Sequence, residues 1–204
     1  MNAHRALCRG FTLIELMITL AIGVILMTLA VPSMVNFRRS SELNAATNTL
    51  LVSLNTARSE AMKRGINAMA VPSANGTNWA TGWEVFVDVN RNQVYSGADV
   101  DISIQSQAAL PSYFTIEGNN NATGTTPYVM FNASGFAQTK GTGGSATGGP
   151  GNLAFRITRT DIVGSSYSEA TRLIIIAPTG RVRSCKPANA TDANCLFSAA
   201  AGNS

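Results

Sequence analysis

The stretch Arg9-Gly10-Phe11-Thr12-Leu13-Ile14-Glu15-Leu16 decides how the rest of the chain is read. It joins a short polar segment carrying His4, Arg5 and Arg9 to a run, 11–31, whose only charge is Glu15. At about 1.5 Å per residue a helix over 11–31 is roughly 32 Å long, enough to cross the hydrocarbon core of a bilayer. A secretory signal peptide is the alternative. Its apolar region usually spans about 7–15 residues and ends in a small-x-small cleavage site. This run is longer and follows Gly10 directly, so its length favours an anchor. Basic residues on both sides, Arg5 and Arg9 before it and Arg38 and Arg39 after it, orient it only weakly, with the N-terminus towards the cytoplasm.

Glu15 is the informative residue. An acid near the start of a spanning helix costs a few kcal/mol on insertion scales, and such groups are functional by default. Cutting the Gly10–Phe11 bond would create a cation nearby, the new amine of Phe11. Within one chain that amine is badly placed. In a helical stack of subunits, Glu15 of one chain faces the Phe11 amine of its neighbour. The competing reading is an interfacial carboxylate that needs no partner.

Working outward, Pro32 interrupts the helix pattern and Arg38-Arg39 mark the return to polar surroundings. The pattern then resumes. Leu43, Ala46, Leu50, Leu54, Ala57 and Ala61 recur at spacings of three and four, one apolar stripe, and Gly65 is placed to cap it. The stripe predicts packing on a sheet; a coiled coil is the lesser alternative for so short and Ala-rich a run. Downstream, strands are expected over 68–71, 83–88, 101–104, 114–117, 128–131, 153–158, 173–177 and 181–184, separated by turn residues. A long helix followed by antiparallel strands is an α+β domain.

The junction resembles the class III signal of type IV pilins and type II secretion pseudopilins: glycine before the cut, phenylalanine after it, glutamate fifth in the mature chain. The resemblance implies cleavage after Gly10 by a prepilin peptidase, N-methylation of Phe11, and assembly with other pilins or pseudopilins through the N-terminal helix, in which Glu15 takes part. Pro32 matches the proline that commonly kinks this helix in the family. Gly82-Trp83-Glu84-Val85-Phe86-Val87-Asp88, with Asn90 and Asn92, is similar to the GspH/FimT branch of minor pilins and pseudopilins. The implied organisation is a leader (1–10), a transmembrane helix (11–31), its periplasmic continuation (32–65) and a β-rich domain with a basic tail (66–204). The implied location is the inner membrane, with the C-terminal domain in the periplasm, and then a pilus or pseudopilus.

Composition agrees with an exported, loop-rich domain. Only 13 % of residues are charged, against roughly a quarter in ordinary globular chains. Of three cysteines, Cys8 lies in the leader. Cys185 and Cys195 remain, and outside the cytoplasm a disulfide is their natural state, contributing roughly 2–3 kcal/mol through chain entropy. A metal site is the alternative, and no histidine or acidic cluster accompanies the pair. The sole histidine, His4, leaves with the leader, so a Ser-His-Asp or Cys-His arrangement is ruled out of the mature chain. No enzyme, metal or cofactor is expected.

Two loops invite other readings. Asp88-Val89-Asn90-Arg91-Asn92 begins like an EF-hand, with Asp99 in the twelfth place, but Gln93 stands where glycine belongs. A hairpin turn held by Asx hydrogen bonds is the better expectation. Asp99 and Asp101 are expected as solvated carboxylates. The loop 140–151 is rich in Gly, Ser and Thr without phosphate-loop spacing and reads as a flexible connection.

Charge divides the mature chain. From Ser40 to Thr139 four basic residues face seven acidic ones, net −3; from Lys140 onward seven basic residues face three acidic ones, net +4. The densest part is Gly180-Arg181-Val182-Arg183-Ser184-Cys185-Lys186. In an extended segment Arg181 and Arg183 share a face, and guanidinium forks suit phosphate oxygens. The Gly-Arg-x-Arg pattern resembles the C-terminal motif of FimT-type minor pilins, which implies binding of duplex DNA during natural transformation by Arg181, Arg183 and Lys186. Two alternatives stand beside it. One is a basic edge strand that merely discourages aggregation. The other is a structural pseudopilin of type II secretion.

Overall fold

The computed structural model describes residues 10–97, 100–140, 148–149, 151–162 and 167–197. Helix α1, Leu13–Arg64, opens on a sequence-encoded cap. Thr12 Oγ1 accepts the backbone N–H of Glu15 at 3.2 Å, and Thr12 carbonyl accepts Leu16 N–H at 3.2 Å. Thr-x-x-Glu is the N-terminal half of a capping box, and a carboxylate in the first turn also favours the positive end of the helix dipole.

Residues 1–41 and 42–204 form two separate compact units. In the first, the apolar side chains of α1 stand in the open, Leu13 at 77 % and Leu26 at 61 % exposure, with a mean hydropathy of 2.4 over the best 18-residue window. Length and composition suffice to cross a membrane. Thr19 and Thr28 donate their hydroxyls to the carbonyls of Leu16 and Ile25 at 2.9 and 2.7 Å, so neither hydroxyl asks for water in an apolar surrounding. The interruption expected at Pro32 is absent: the helix runs through it. Proline there removes one backbone donor, a loss that a helix of this length carries without ending.

In the second unit the predicted stripe is the core. Leu43, Leu50, Leu54, Ala57 and Ala61 are fully buried and Ala46 nearly so. Gly65 ends α1 with φ +69° and its N–H on Ala61 carbonyl at 3.0 Å, as its position predicts. The stripe packs against two antiparallel sheets. The first has strand order β3-β2-β1-β5-β6, from β1 (Ala68–Pro72), β2 (Trp83–Val87), β3 (Ile102–Gln107), β5 (Val129–Phe131) and β6 (Ala137–Gln138). The second has order β4-β7-β8-β9, from β4 (Phe114–Gly118), β7 (Leu153–Arg159), β8 (Thr171–Ile176) and β9 (Val182–Cys185). Val85, Val129 and Phe131 of one sheet and Phe155, Ile157 and Ile174 of the other meet in this core. Two buried indoles fix it by direction as well as bulk. Trp83 Nε1 donates to Ser53 Oγ on α1, and Trp79 Nε1 donates to Ala122 carbonyl, both at 2.9 Å. Trp79 also meets Phe155 edge-on at 4.8 Å.

The loop after β2 is built from Asx turns, as expected. Asn90 Oδ1 accepts Asn92 N–H at 3.1 Å and Asn92 Oδ1 accepts Val94 N–H at 2.9 Å. Asp88 is fully buried, its two oxygens each 3.0 Å from the N–H groups of Asn92 and Gln93. Asp101 corrects the expectation of a solvated carboxylate. It is 1 % exposed and accepts the N–H groups of Val89 and Ser96 at 3.2 and 2.7 Å. Turn amides that have no strand partner need an acceptor, and a short buried acid supplies two. Asp99 and most of the 140–151 loop (141–147 and 150) lie outside the described residues.

Candidate functional site

The basic segment is held by a turn that only glycine fits. Ala177 N–H reaches Arg181 carbonyl at 3.0 Å and Gly180 N–H reaches Ala177 carbonyl at 2.8 Å, closing the β8–β9 hairpin. Gly180 has φ +78°, and a Cβ there would lie 1.8 Å from Gly135 carbonyl oxygen. Arg58, on α1, ties the two turns together, its Nε on Gly135 carbonyl at 2.9 Å and its Nη2 on Thr179 carbonyl at 3.3 Å. Thus the glycine preceding Arg181 has a structural role that its sequence context did not reveal.

β9 is the free edge of the second sheet, with Arg183 opposite Ile175 and Cys185 opposite Leu173. Ile174 and Ile176 belong to the helix-facing core, so alternation sends Leu173, Ile175, Arg183 and Cys185 to the outer face. That face is covered by the chain's own tail. Cys185 and Cys195 are joined in a disulfide, and Cys195 is 3 % exposed. Arg183 Nη1 donates to Asn194 carbonyl at 3.0 Å, and Asn119 Nδ2 donates to Phe197 carbonyl at 3.2 Å. Asp192 organises the bridge loop by accepting N–H bonds from Ala188 and Asn194 at 2.9 and 3.0 Å, which hold its carboxyl below the ordinary range.

The positive excess read from the sequence is largely consumed inside the fold. Arg156 pairs with Glu117 and lies over the Phe197 ring at 4.7 Å. Arg159, with a side chain at 0 % exposure, pairs with Asp161 through two bonds at 3.1 and 2.8 Å. Arg172 reaches Asn44 of α1 and the carbonyls of Ser168 and Thr171. Lys140 covers the Tyr128 ring at 4.5 Å; burial lowers its pKa while the charge of Asp88 opposes that. Burial likewise raises the pKa of Asp88, aided by nearby Asp101 and opposed by the turn N–H groups. What remains is the predicted strip. Arg181 and Lys186 are exposed, and their side chains have no hydrogen bond or ion pair among the described residues. Arg183 lies on β9, Arg181 and Lys186 stand one residue before and one residue after it, and Arg183 is already partly engaged with Asn194. Among the described residues no cluster of three or more His, Cys, Asp or Glu side chains has metal-binding geometry.

At the other end of the chain, Gly10, Phe11 and Glu15 are all exposed. The Thr12 cap uses the backbone of Glu15 and leaves its carboxylate out of the bond. The capping pattern was legible in Thr12-Leu13-Ile14-Glu15 and is the functional detail that the motif alone obscured.

Comparison with known proteins reaches the N-terminal junction and the helix-and-sheet domain as far as Gly180, short of the basic strip. The family described as "Prokaryotic N-terminal methylation motif" matches residues 5–31, and that described as "Type II transport protein GspH" matches residues 46–180, more than half of the chain. Two crystal forms of the type IV minor pilin FimU of Pseudomonas aeruginosa are similar to this chain. They are 18 % and 17 % identical, cover 72 % and 70 % of this chain and 90 % and 91 % of their own, and have TM-scores of 0.48 and 0.47. A methylation-motif helix joined to a GspH domain describes a subunit that is processed by a peptidase and assembles with other pilins, and the chain belongs to the GspH family of minor pilins and pseudopilins, membrane-anchored subunits of type IV pili or type II secretion systems.

Proposed function

We propose that the chain is a minor pilin of a type IV pilus that primes filament assembly and contacts duplex DNA through Arg181, Arg183 and Lys186. In this reading the precursor sits in the inner membrane with its C-terminal domain in the periplasm. It is cut between Gly10 and Phe11, methylated on Phe11, and held in the filament by Glu15 against a neighbour's amine. The observation that carries the DNA role is the selective exposure of this strip. Four of the seven basic residues from Lys140 onward are built into the fold, whereas Arg181 and Lys186 are exposed, without a partner among the described residues, beside a disulfide-anchored edge strand. Three phosphate contacts correspond to a salt slope of roughly −2 to −3 and to weak, sequence-independent binding. Repetition along a filament would add avidity. No aromatic residue adjoins the strip in the sequence, so backbone contact is favoured over base stacking.

A titration of full mature chain in nanodiscs with duplex DNA tests this. Arg181→Ala/Lys186→Ala is the informative variant, because neither side chain holds the fold. Its expected effect is a loss of about tenfold or more in affinity and a salt slope shallower by about 2. Equal affinities, or binding indifferent to salt, would remove the strip from the account. The second reading, a pseudopilin of type II secretion that binds neighbouring subunits and secreted cargo, is favoured by the wording of the GspH family description. It expects no DNA binding and neighbouring genes for secretion rather than for pili.

A further inference from the structure

The basic strip has no aromatic neighbour along the chain, but the fold supplies one. The turn before β6 lies against the turn between β8 and β9. Ala137 N–H donates to Pro178 carbonyl at 3.0 Å, and Gly135 carbonyl oxygen sits so near Gly180 that a Cβ there would be 1.8 Å away. Phe136 stands between these two contacts, and Arg181 follows Gly180 directly. Ala137 is fully buried in the core, so its neighbour Phe136 turns outward and is 46 % exposed.

Phe136 is also held in place. Its N–H donates to Asn132 Oδ1 and its carbonyl accepts Asn132 N–H, both at 3.0 Å. Met62 of α1, itself exposed, reaches the same spot, because a Cβ on Gly135 would lie 2.6 Å from its Sδ. A single exposed apolar residue is common on protein surfaces and by itself points to nothing. Phe136 differs by its position. It is an aromatic ring in the open, on a backbone fixed on both sides, next to the turn that carries Arg181. Cations that follow phosphates beside an aromatic face that takes a base are the parts of a single-strand binding surface. A base closed in a duplex is covered on both faces by its neighbours, so only an unpaired one can stack on such a ring.

We infer that Phe136 stacks on an unpaired base, so that the surface it shares with Arg181 prefers single-stranded DNA to closed duplex. The inference rests on the reading of Arg181, Arg183 and Lys186 as phosphate contacts. It adds to that reading a residue from a different hairpin and a preference between two forms of the same ligand. The phosphate contacts serve both forms, while the ring serves one.

The experiment is fluorescence anisotropy of full mature chain in nanodiscs, titrated with labelled oligo-dT of roughly 20 nucleotides and with a closed hairpin duplex carrying the same number of phosphates. At equal salt the single strand is expected to bind about fivefold tighter or more. Phe136→Leu keeps the apolar bulk and removes the aromatic face. It should weaken the single strand about fivefold or more and change duplex affinity by less than about twofold, and Phe136→Trp should restore single-strand binding. Arg181→Ala/Lys186→Ala should weaken both forms. Three outcomes overturn the inference while leaving the strip in place: duplex bound as tightly as single strand, single-strand affinity unchanged in Phe136→Leu, or an equal loss for both forms in that variant. Failure of both DNAs to bind, or wild-type affinity in Arg181→Ala/Lys186→Ala, removes the strip reading itself and this inference with it.

Discussion

Gly180→Ala is expected to destabilise the extramembrane domain by roughly 3 kcal/mol or more, a lowering of Tm by about 6–12 °C for a domain of this size. Two effects combine. A left-handed backbone costs a residue with a Cβ about 1–2 kcal/mol. The new Cβ would also fall 1.8 Å from Gly135 carbonyl oxygen and 2.9 Å from Arg58 Nε, so the two turns must part and Arg58 loses its bonds. Thermal unfolding of the full chain, with exposed Thr179→Ala as the comparison, measures it; a Tm within about 2 °C of wild type would contradict the packing described. The prediction also bears on how the basic strip is probed. A Gly180 variant that fails to bind DNA reports a collapsed hairpin, and only Arg181 and Lys186 substitutions report contact.

Replacing Glu15 is expected to abolish incorporation into filaments while sparing the helix and its processing. The cap at Thr12 is made by the Glu15 backbone N–H, which Glu15→Ala and Glu15→Gln both retain. What they remove is the carboxylate. If it pairs with the Phe11 amine of an adjacent subunit in an apolar filament core, breaking that pair costs about 3 kcal/mol, on the order of a hundredfold in incorporation. Quantifying the subunit in sheared filaments against the membrane fraction reads this directly. Wild-type incorporation of both variants would show that Glu15 serves only the helix dipole.

The helix was legible because its signals are local. The spacing of Leu43 through Ala61 fixes a buried face, Gly65 fixes its end, and each of the eight expected strands overlaps an observed one, with ends off by a residue or more. The ninth, Ala137–Gln138, is two residues long and leaves no periodicity to read. The single turn of helix α2, Tyr167–Ala170, is short in the same way. Division into two sheets depends on which strands pair, and Trp83 reaching Ser53 or Arg172 reaching Asn44 is invisible along the chain. The basic C-terminal third shows the same limit most plainly. Counting charges made it look like one surface, but Glu117, Asp161 and Asn44 had already claimed Arg156, Arg159 and Arg172. Of the strip, only Arg183 falls inside β9, whose first residue is Val182, one position later than the strand expected from the sequence.

The filament reading rests on one bond. Mass spectrometry of the chain recovered from its native membrane or filament tests it most directly: the account predicts a mature N-terminus at N-methylated Phe11. A chain still beginning at Met1, or cut at any other bond, would contradict it.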